Sequence, residues 1–524
     1  MEQSRVLIAV ILSFLVLLSW NYFFVEPIQQ LPAPVSEKSD ETPPAPLEAG
    51  APSKEKTATA MTKQDSALPE KTGAAEPDQR LARTITVETS LYTTTVSEAG
   101  AGISSYILKK YREESKKDSP LKELIAADST KGEFAVSLKG IDVIDKGKRA
   151  LAVADFNQDR MDVVGEKKTI TFTQVAADGI VVEKTFTFYP DNYLIGLDVK
   201  IHNQASLSLS PTILVSLEKA VGEEDSYGFV GPSMYIDNKL EQIARKKIKE
   251  KNRYEGKIGW VGVQDRYFIS SLIPKEQEKG VVQLNLNESN RLETIYESQP
   301  LALSAKTEKS LRYDIFMGPM SMAVLGKFDN GLDKAIDFGM FDILAKPCLW
   351  LMNFIHDHII HNYGVAIIIL TVLIKLILWP LGSKSYKSMN QMKRLQPEMQ
   401  KLREKYKDDK RKMNEELMQL YKTYKVNPMG GCLPMLVQIP VFFALYRMLY
   451  QAIELRHAPF FGWITDLSAP DRLFDFGFSI PMMQPPYGIP VLTLIMGGTM
   501  FLQQKMSPPM GDPTQAKMMM MMPI

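Results

Sequence analysis

The chain has 524 residues, room for two or three domains, and a formal net charge of +1. Its near-neutral mean hydropathy is an average over apolar and polar regions, so the chain must be divided before it can be read. Two cysteines, Cys348 and Cys432, exclude a disulfide framework, and the topology below sets them near opposite membrane faces, so no bridge between them is expected.

The first apolar run, Val6 to Val25, follows Arg5 and precedes Glu26 and proline-rich sequence. A cleaved signal peptide would end in a small-x-small exit site. The run is long and lacks a clear one, so residues 1–25 are expected to be an uncleaved transmembrane anchor with a cytoplasmic N-terminus. Residues 26–83 are rich in Pro, Ala, Glu, Lys and Thr, with Pro43, Pro44, Pro46 and Pro52 close together. Such a stretch cannot bury enough apolar surface to fold, and it reads as a disordered periplasmic linker.

Alternation of apolar and polar residues begins at Thr84 with TITVETSLYTTTVSE and returns over Thr169 to Asn203, where Asp178-Gly179 is the expected hairpin turn. ILVSLEKA, VVQLNLNE and SLRYDIFMG continue the pattern. Residues 84–325 are therefore expected to form one large extracytoplasmic antiparallel β-sandwich. Sugar-active sandwiches need a positioned acid and base. His202, expected to follow a strand in the turn-like HNQ, is the domain's only histidine, and carboxylates such as Glu183 and Asp198 show no pairing that the sequence can establish. A binding or spacer role is expected rather than catalysis.

FDILAKPCLWLMNFIHDHIIH sets Leu344, Leu349, Trp350, Met352, Phe354 and Ile355 among polar residues, as an amphipathic helix over 338–362 at the outer membrane interface would. His356, Asp357, His358 and His361 invite a metal reading. On a helix, however, His356 and His358 point to different sides, leaving only His358 or Asp357 to share a face with His361, so no metal is expected.

The span 363–382 contains GVAIIILTVLIKLILWPL, long enough to cross a bilayer yet carrying Lys375. A charge there normally faces protein or water and marks a working site. Lys375 lies five residues from Pro380, roughly 8 Å along a helix, so the site belongs to one leaflet. The competing reading is a lysine stem that snorkels to the nearer interface, and both stand at this point.

Residues 384–425 hold 13 Lys or Arg against 6 Asp or Glu, a surplus of 7, which places this loop in the cytoplasm. Met392, Leu395, Met399, Leu402 and Tyr406, then Met413, Leu417, Leu420 and Tyr424, keep a heptad beat. Two helices joined near Asp408-Asp409 are expected to pair as a hairpin, with Pro397 in the first turn of the first helix or kinking it. Anionic lipid, ribosomal RNA or an acidic partner would each suit its charge. The next span, 429–450, contains Pro434, Gln438 and Pro440, and a broken, partly polar membrane helix is tolerated where it lines a cavity, here the one holding Lys375. A last span, 488–506, returns the chain to the cytoplasm, so Gln451 to Tyr487 is expected outside, with an amphipathic stretch at APFFGWI. The fold class is thus mixed: an α-helical polytopic membrane domain plus the sandwich.

VNPMGGCLPMLVQIPVFFALYRML, with ELRHAPFFGWITDLSA after it, resembles the third membrane segment and following loop of the YidC family of bacterial membrane protein insertases. SYKSMNQMKRLQPEMQKLREKYKDDKRKMNEELMQLYK resembles that family's cytoplasmic hairpin, and QKMSP with DPTQAKMMMMMP resembles the entry to its fifth segment. The match is specific over about residues 340–524. The resemblance implies an inner-membrane insertase and chaperone, not an enzyme, with core 363–524 and a hydrophilic groove open to the cytoplasm. Lys375 stands where the family has an arginine, keeping the charge but losing the planar fork, and Thr371 matches a neighbouring threonine. Gln438 joins them as a groove residue, while Pro434, Met435, Pro440 and Phe442 form the flank along which a client slides. Lys393, Arg394, Lys401, Arg403, Lys410 and Arg411 are the expected hairpin contacts for ribosome and signal-recognition targeting machinery. Nascent membrane proteins, the Sec translocon and anionic lipids complete the implied partners. Relative to the family the chain stops two membrane helices short, at Ile524, and reads as a fragment. No GxxxxGK[ST] loop is present, so no ATP or other cofactor is expected. A small transporter or a membrane-tethered sugar-binding or sugar-active protein are the alternatives.

Overall fold

The computed structural model describes residues 82–125, 134–140, 144–145, 148–149, 151–176, 179–220, 228–276, 279–286, 291–328, 330–424, 426, 433–474, 476–479, 483 and 486–506. The expected anchor, the linker up to residue 81, Asp178, Cys432 and the segment after Met506 lie outside the described residues.

Strands occupy most of Thr84–Pro319; apart from the small pair Ile144–Asp145 and Lys148–Arg149 they form two sheets that share one long strand, with Leu121–Ile125 paired to Gly102–Arg112 in the first. In the first sheet the order is Arg160–Asp162, Thr84–Glu88, Tyr92–Ser97, Gly102–Arg112, Phe134–Lys139, Thr212–Ala220, Arg291–Glu297 and Lys279–Leu286, then the start of Arg253–Gln264. In the second, Val153–Ala154, Lys168–Val175, Ile180–Phe188, Leu194–Asn203, Glu308–Pro319 and Phe268–Pro274 lead to the end of that same strand, with Gly231–Ile236 and Lys239–Gln242 beyond it. At the other margin the bridge between Ala99 and Leu151 closes the wrap. Glu98 secures that margin. It is wholly buried, its carboxylate pairs with Arg83 at 3.0 Å and accepts from the Ala154 N–H at 3.2 Å, which satisfies a charge that would otherwise be costly to bury.

Alternation decides the interior. Ile180, Val182, Phe186 and Phe188 point inward from one strand and Ile195, Leu197, Val199 and Ile201 from its neighbour, all fully buried. Lys184 occupies an inward position of the same strand at 2% exposure. Its ammonium donates to the carbonyls of Gly100 and Val136, both at 2.7 Å, stitching the two sheets together. Trp260, also fully buried, lies on the shared strand and donates its indole N–H to the carbonyl of Gly331 at 3.0 Å.

TITVETSLYTTTVSE forms two antiparallel strands, Thr84–Glu88 and Tyr92–Ser97, because the Thr89 hydroxyl accepts from the N–H groups of Leu91 and Tyr92 and turns the chain. His202 does not follow a strand but lies within Leu194–Asn203. The expected hairpin is present, with Lys168–Val175 paired to Ile180–Phe188 and Gly179 at φ +73°.

Beyond the sandwich, five helices are numbered here α1 (Asp342–His358), α2 (Tyr363–Lys405), α3 (Lys410–Thr423), α4 (Leu433–Gln451) and α5 (Val491–Met506). The face of α1 carrying Ala345, Leu349, Met352 and Ile355 is buried, and the helix packs against both α2 and α4. Its other apolar face, with Ile343 at 84% and Trp350 at 63% exposure, is uncovered, and the rings of Trp350, Phe354 and His358 stack along it. Helix α2 opens at Asn362, whose side chain accepts from the Val365 N–H. Phe460 then lies so close that a Cβ at Gly364 would meet its ring at 2.1 Å, so only glycine fits. APFFGWI, which supplies that ring, forms turns.

The 43 residues of α2, about 65 Å of helix, join the expected span and the first arm of the hairpin without a break. Pro397 therefore lies inside a continuous helix rather than in a first turn. Among the described residues this is the one helix long and apolar enough to cross a membrane by the length and composition of a single stretch. Helix α4 has 19 residues and α5 has 16, about 28 and 24 Å.

The sandwich and the helices meet around the exit of α4. Arg266 donates from Nε to the Tyr450 carbonyl at 2.6 Å, and Arg456 donates to the carbonyls of Arg112 and Glu113 at 2.6 and 3.0 Å. Between them the Glu454 carboxylate accepts from the Ser321 hydroxyl at 2.9 Å and from Asn353. Burial pushes the Glu454 carboxyl above its ordinary value, with Asp357 adding to the effect. Asp265, beside Arg266, feels the same burial, yet Lys219 and the N–H groups of Tyr267 and Phe268 hold it below the usual carboxylate range.

Candidate functional site

Lys375 and Thr371 stand one turn apart on α2, on one face of the helix. Both are exposed. Thr371 returns its hydroxyl to the Ile367 carbonyl at 2.8 Å, as a polar side chain does when its surroundings offer nothing better. Among the described residues Lys375 has neither an ion-pair nor a hydrogen-bond partner, while Val372, Leu376, Ile377 and Trp379 around it are exposed hydrophobics. A lone ammonium in an apolar belt is the chemistry expected of a site that meets a polar or acidic guest.

Helix α4 packs beside α2 and carries the other candidates. Gln438 and Pro434 are half-buried, Pro440 is exposed inside the helix, and Phe442 is exposed with its ring against Phe443 and Tyr446. The side chains of Met435 and Lys410 lie outside the described set. Pro440 removes one backbone donor, leaving a carbonyl of the preceding turn without its helical partner.

The basic arms come together as the heptad beat requires. Leu395 and Leu417 are buried, the Tyr421 hydroxyl lies 3.8 Å from Met399 Sδ, and the Tyr424 hydroxyl donates to Glu398 at 3.1 Å. Asp409 caps α3 through the Lys412 N–H. Lys393, Arg394, Lys401 and Arg411 are exposed and Arg403 is half-buried, so the charge faces outward from the pair.

The histidines arrange differently from the helical reading. Because α1 ends at His358, His361 turns back, and His356 is the one beside it, with ring centroids 5.9 Å apart. His356 also stacks on Tyr363 at 3.7 Å and bonds Asp357 at 2.8 Å, while His358 meets the Phe354 carbonyl. Among the described residues no group of three or more His, Cys, Asp or Glu could hold a metal. In the sandwich, Glu183 and Glu308 do flank His202, at 3.3 and 3.1 Å, a pairing made by strand register.

Residues 354–524 match the family model described as 60Kd inner membrane protein, and residues 84–351 match the one described as YidC periplasmic domain. The Membrane protein insertase YidC of Syntrophus aciditrophicus is 38% identical over 531 residues, covering 100% of this chain and 93% of that one. Its counterpart from Syntrophobacter fumaroxidans is 37% identical over 533 residues, covering 100% and 94%. The chain belongs to the YidC family of membrane protein insertases. As a YidC-family member it is an inner-membrane protein that acts on nascent membrane proteins. A galactose mutarotase-like protein from Lactobacillus casei aligns with 45% of the chain at a TM-score of 0.33 and 12% identity, too remote to argue from.

The joint residues Arg266, Glu454 and Arg456 were not singled out in the sequence of this YidC-family chain. Arg266 stands beside Tyr267 and Phe268, an ordinary neighbourhood for an arginine, and Glu454 and Arg456 open ELRHAPFFGWITDLSA, a stretch that resembles the family's loop without marking either as a contact to the sandwich.

Proposed function

We propose that the chain inserts its clients through a hydrophilic, cytoplasm-facing groove between α2 and α4, with Lys375 as its positive centre and Thr371 and Gln438 as polar lining. The observation that carries this is Lys375 on the apolar surface of α2, exposed and without an ion-pair or hydrogen-bond partner among the described residues. A polar segment crossing intact bilayer must shed its water, and a hydrated recess reaching partway through shortens the dry path. The ammonium attracts acidic residues of the client, while the client's apolar segment slides along the flank formed by Pro434, Met435, Pro440 and Phe442. Partitioning of that segment into lipid supplies the free energy. Lys393, Arg394, Lys401, Arg403, Lys410 and Arg411 on the hairpin receive the ribosome and signal-recognition machinery or rest on anionic lipid. The groove serves clients alone or beside the Sec translocon. Protease protection of a radiolabelled client in vesicles with and without this protein tests the reading. Protection that does not depend on the protein would overturn it.

The same reading assigns topology: a multi-pass protein with N-terminus, hairpin and the loop after Met506 in the cytoplasm, and the sandwich and Gln451 to Tyr487 in the periplasm. A cysteine at position 402 in a cysteine-free background is expected to resist a membrane-impermeant reagent applied from outside, whereas one at position 310 reacts. Labelling of position 402 from the periplasmic side would contradict the assignment.

A further inference from the structure

The segment between α4 and α5 is fastened to the ends of three helices. It continues directly from the end of α4. Phe460 fills the space beside Gly364 at the start of α2, and its carbonyl accepts from the Asn362 side chain at 3.5 Å. Asp471 then ties the two arms of the segment to α5. One of its carboxylate oxygens accepts the Trp463 indole N–H at 2.7 Å, and the other accepts the Leu492 backbone N–H in the first turn of that helix. Beyond Asp471 the chain doubles back, with Leu473 bridged to Ile489 and the Phe476 N–H donating to the Tyr487 carbonyl at 2.8 Å. This frame leaves large rings uncovered. Phe461, Phe474 and Phe478 are 61%, 69% and 62% exposed, Trp463 and Phe476 are exposed too, and Phe476 stacks on Phe478 at 5.7 Å. Phe474 is presented at a backbone cost, since its φ of +62° lies in the left-handed region that a bulky side chain seldom adopts.

The chemistry of these rings selects what covers them. Residues 458–465 carry no charge and residues 473–490 carry one, Asp475, with no Lys or Arg in either run, so neither run offers a cation to an acidic partner or an anionic headgroup. Trp463 has already paired its N–H with Asp471, and its ring can leave water without stranding a donor. The apolar character continues into α5 through Ile489, Leu492, Leu494 and Ile495, all exposed. Phe and Trp at the ends of apolar helices are suited to headgroup depth, where a ring meets acyl chains and the backbone stays wet. We propose that Phe461, Trp463, Phe474, Phe476 and Phe478 insert into the interfacial zone of the outer leaflet. They bind the bilayer itself through apolar area rather than charge, and they set the depth of the outer ends of α2, α4 and α5. The choice of leaflet rests on the topology assigned above, with Gln451 to Tyr487 outside.

The test uses the full chain, cysteine-free, with one new cysteine at position 461, at 478 or, on the sandwich, at 310. Each carries the fluorophore NBD in phosphatidylcholine vesicles. Lipid brominated near the top of its acyl chains is expected to quench the labels at 461 and 478 several-fold more than the label at 310, and iodide in the water to quench them several-fold less. Adding phosphatidylglycerol leaves both ratios unchanged, because the rings bring no cation. Quenching by brominated lipid that is no greater at 461 and 478 than at 310 overturns the proposal. So does shielding from iodide without quenching by brominated lipid, since a second copy or another protein then covers the rings. Quenching that requires phosphatidylglycerol overturns the uncharged basis of the contact. Asp471→Ala frees both arms and is expected to lower the lipid quenching at 461 and 478, whereas unchanged quenching overturns the bracing by Asp471. Dithionite added outside sealed vesicles tests the side separately, and it is expected to bleach the same fraction of label at all three positions. Lipid-quenched labels at 461 and 478 that dithionite spares while it bleaches 310 defeat the topology and leave the lipid contact standing.

Discussion

Lys375→Ala is expected to reduce insertion of a client with an acidic translocated segment by roughly five- to tenfold, the range of one charge interaction at a partly hydrated site. Lys375→Arg should stay close to the parent. Positive charge on this face of α2 matters more than donor geometry when the guest is a mobile acidic segment, which can adapt to either head group. A client whose translocated segment carries no acidic residue is expected to depend on Lys375 much less, which separates attraction from a general packing defect. Insertion yield at matched expression measures all three. Equal yields for alanine and parent would mean that the ammonium only reaches toward the interface along its stem.

Trp260→Ala should be the most damaging single change in the sandwich. The indole is wholly buried on the strand that both sheets share, so its removal leaves a cavity at the hinge of the wrap and strips the Gly331 carbonyl of its donor. Large-to-small changes of this kind cost about 3–5 kcal/mol, and a carbonyl left unsatisfied adds ~1 kcal/mol or more. Gly331 cannot readily move to compensate. Its φ of +75° belongs to glycine, and a Cβ there would meet the Tyr235 ring at 2.9 Å. The urea midpoint of the β signal in circular dichroism is expected to fall by about 1–2 M. Trp260→Phe, which keeps most of the volume but not the N–H, should lose much less. A midpoint within error of the parent for Trp260→Ala would show that the shared strand is not a stability centre.

Much of the molecule was legible because its signals are local. Apolar–polar alternation with period two is a property of each strand by itself, and the burial of Ile180, Val182, Phe186 and Phe188 follows it residue by residue. The heptad of the hairpin is equally local, and Leu395 and Leu417 are buried where it puts them. Lys375 stood out for the same reason: a charge inside an apolar run contradicts its own neighbours. The union of the span with the first hairpin arm was less legible. Pro380 and Pro397 resemble helix breaks in a sequence, yet a long helix can carry a proline where one missing hydrogen bond is tolerated.

By itself, then, the sequence determined the strand and helix periodicities, the basic hairpin, the lysine inside an apolar run and the motifs of the insertase family. Only the tertiary structure decided which strands neighbour one another, that Glu98 and Lys184 are buried with partners, that His202 lies between Glu183 and Glu308, and that the sandwich is joined to the exit of α4. The bond from Arg266 to Tyr450 joins residues 184 positions apart, and that from Arg456 to Arg112 joins residues 344 apart. Nothing in either neighbourhood specifies such a partner. Periodicity is written within a few residues of chain, whereas register and docking depend on the summed packing of whole faces, which exists only once the chain has folded.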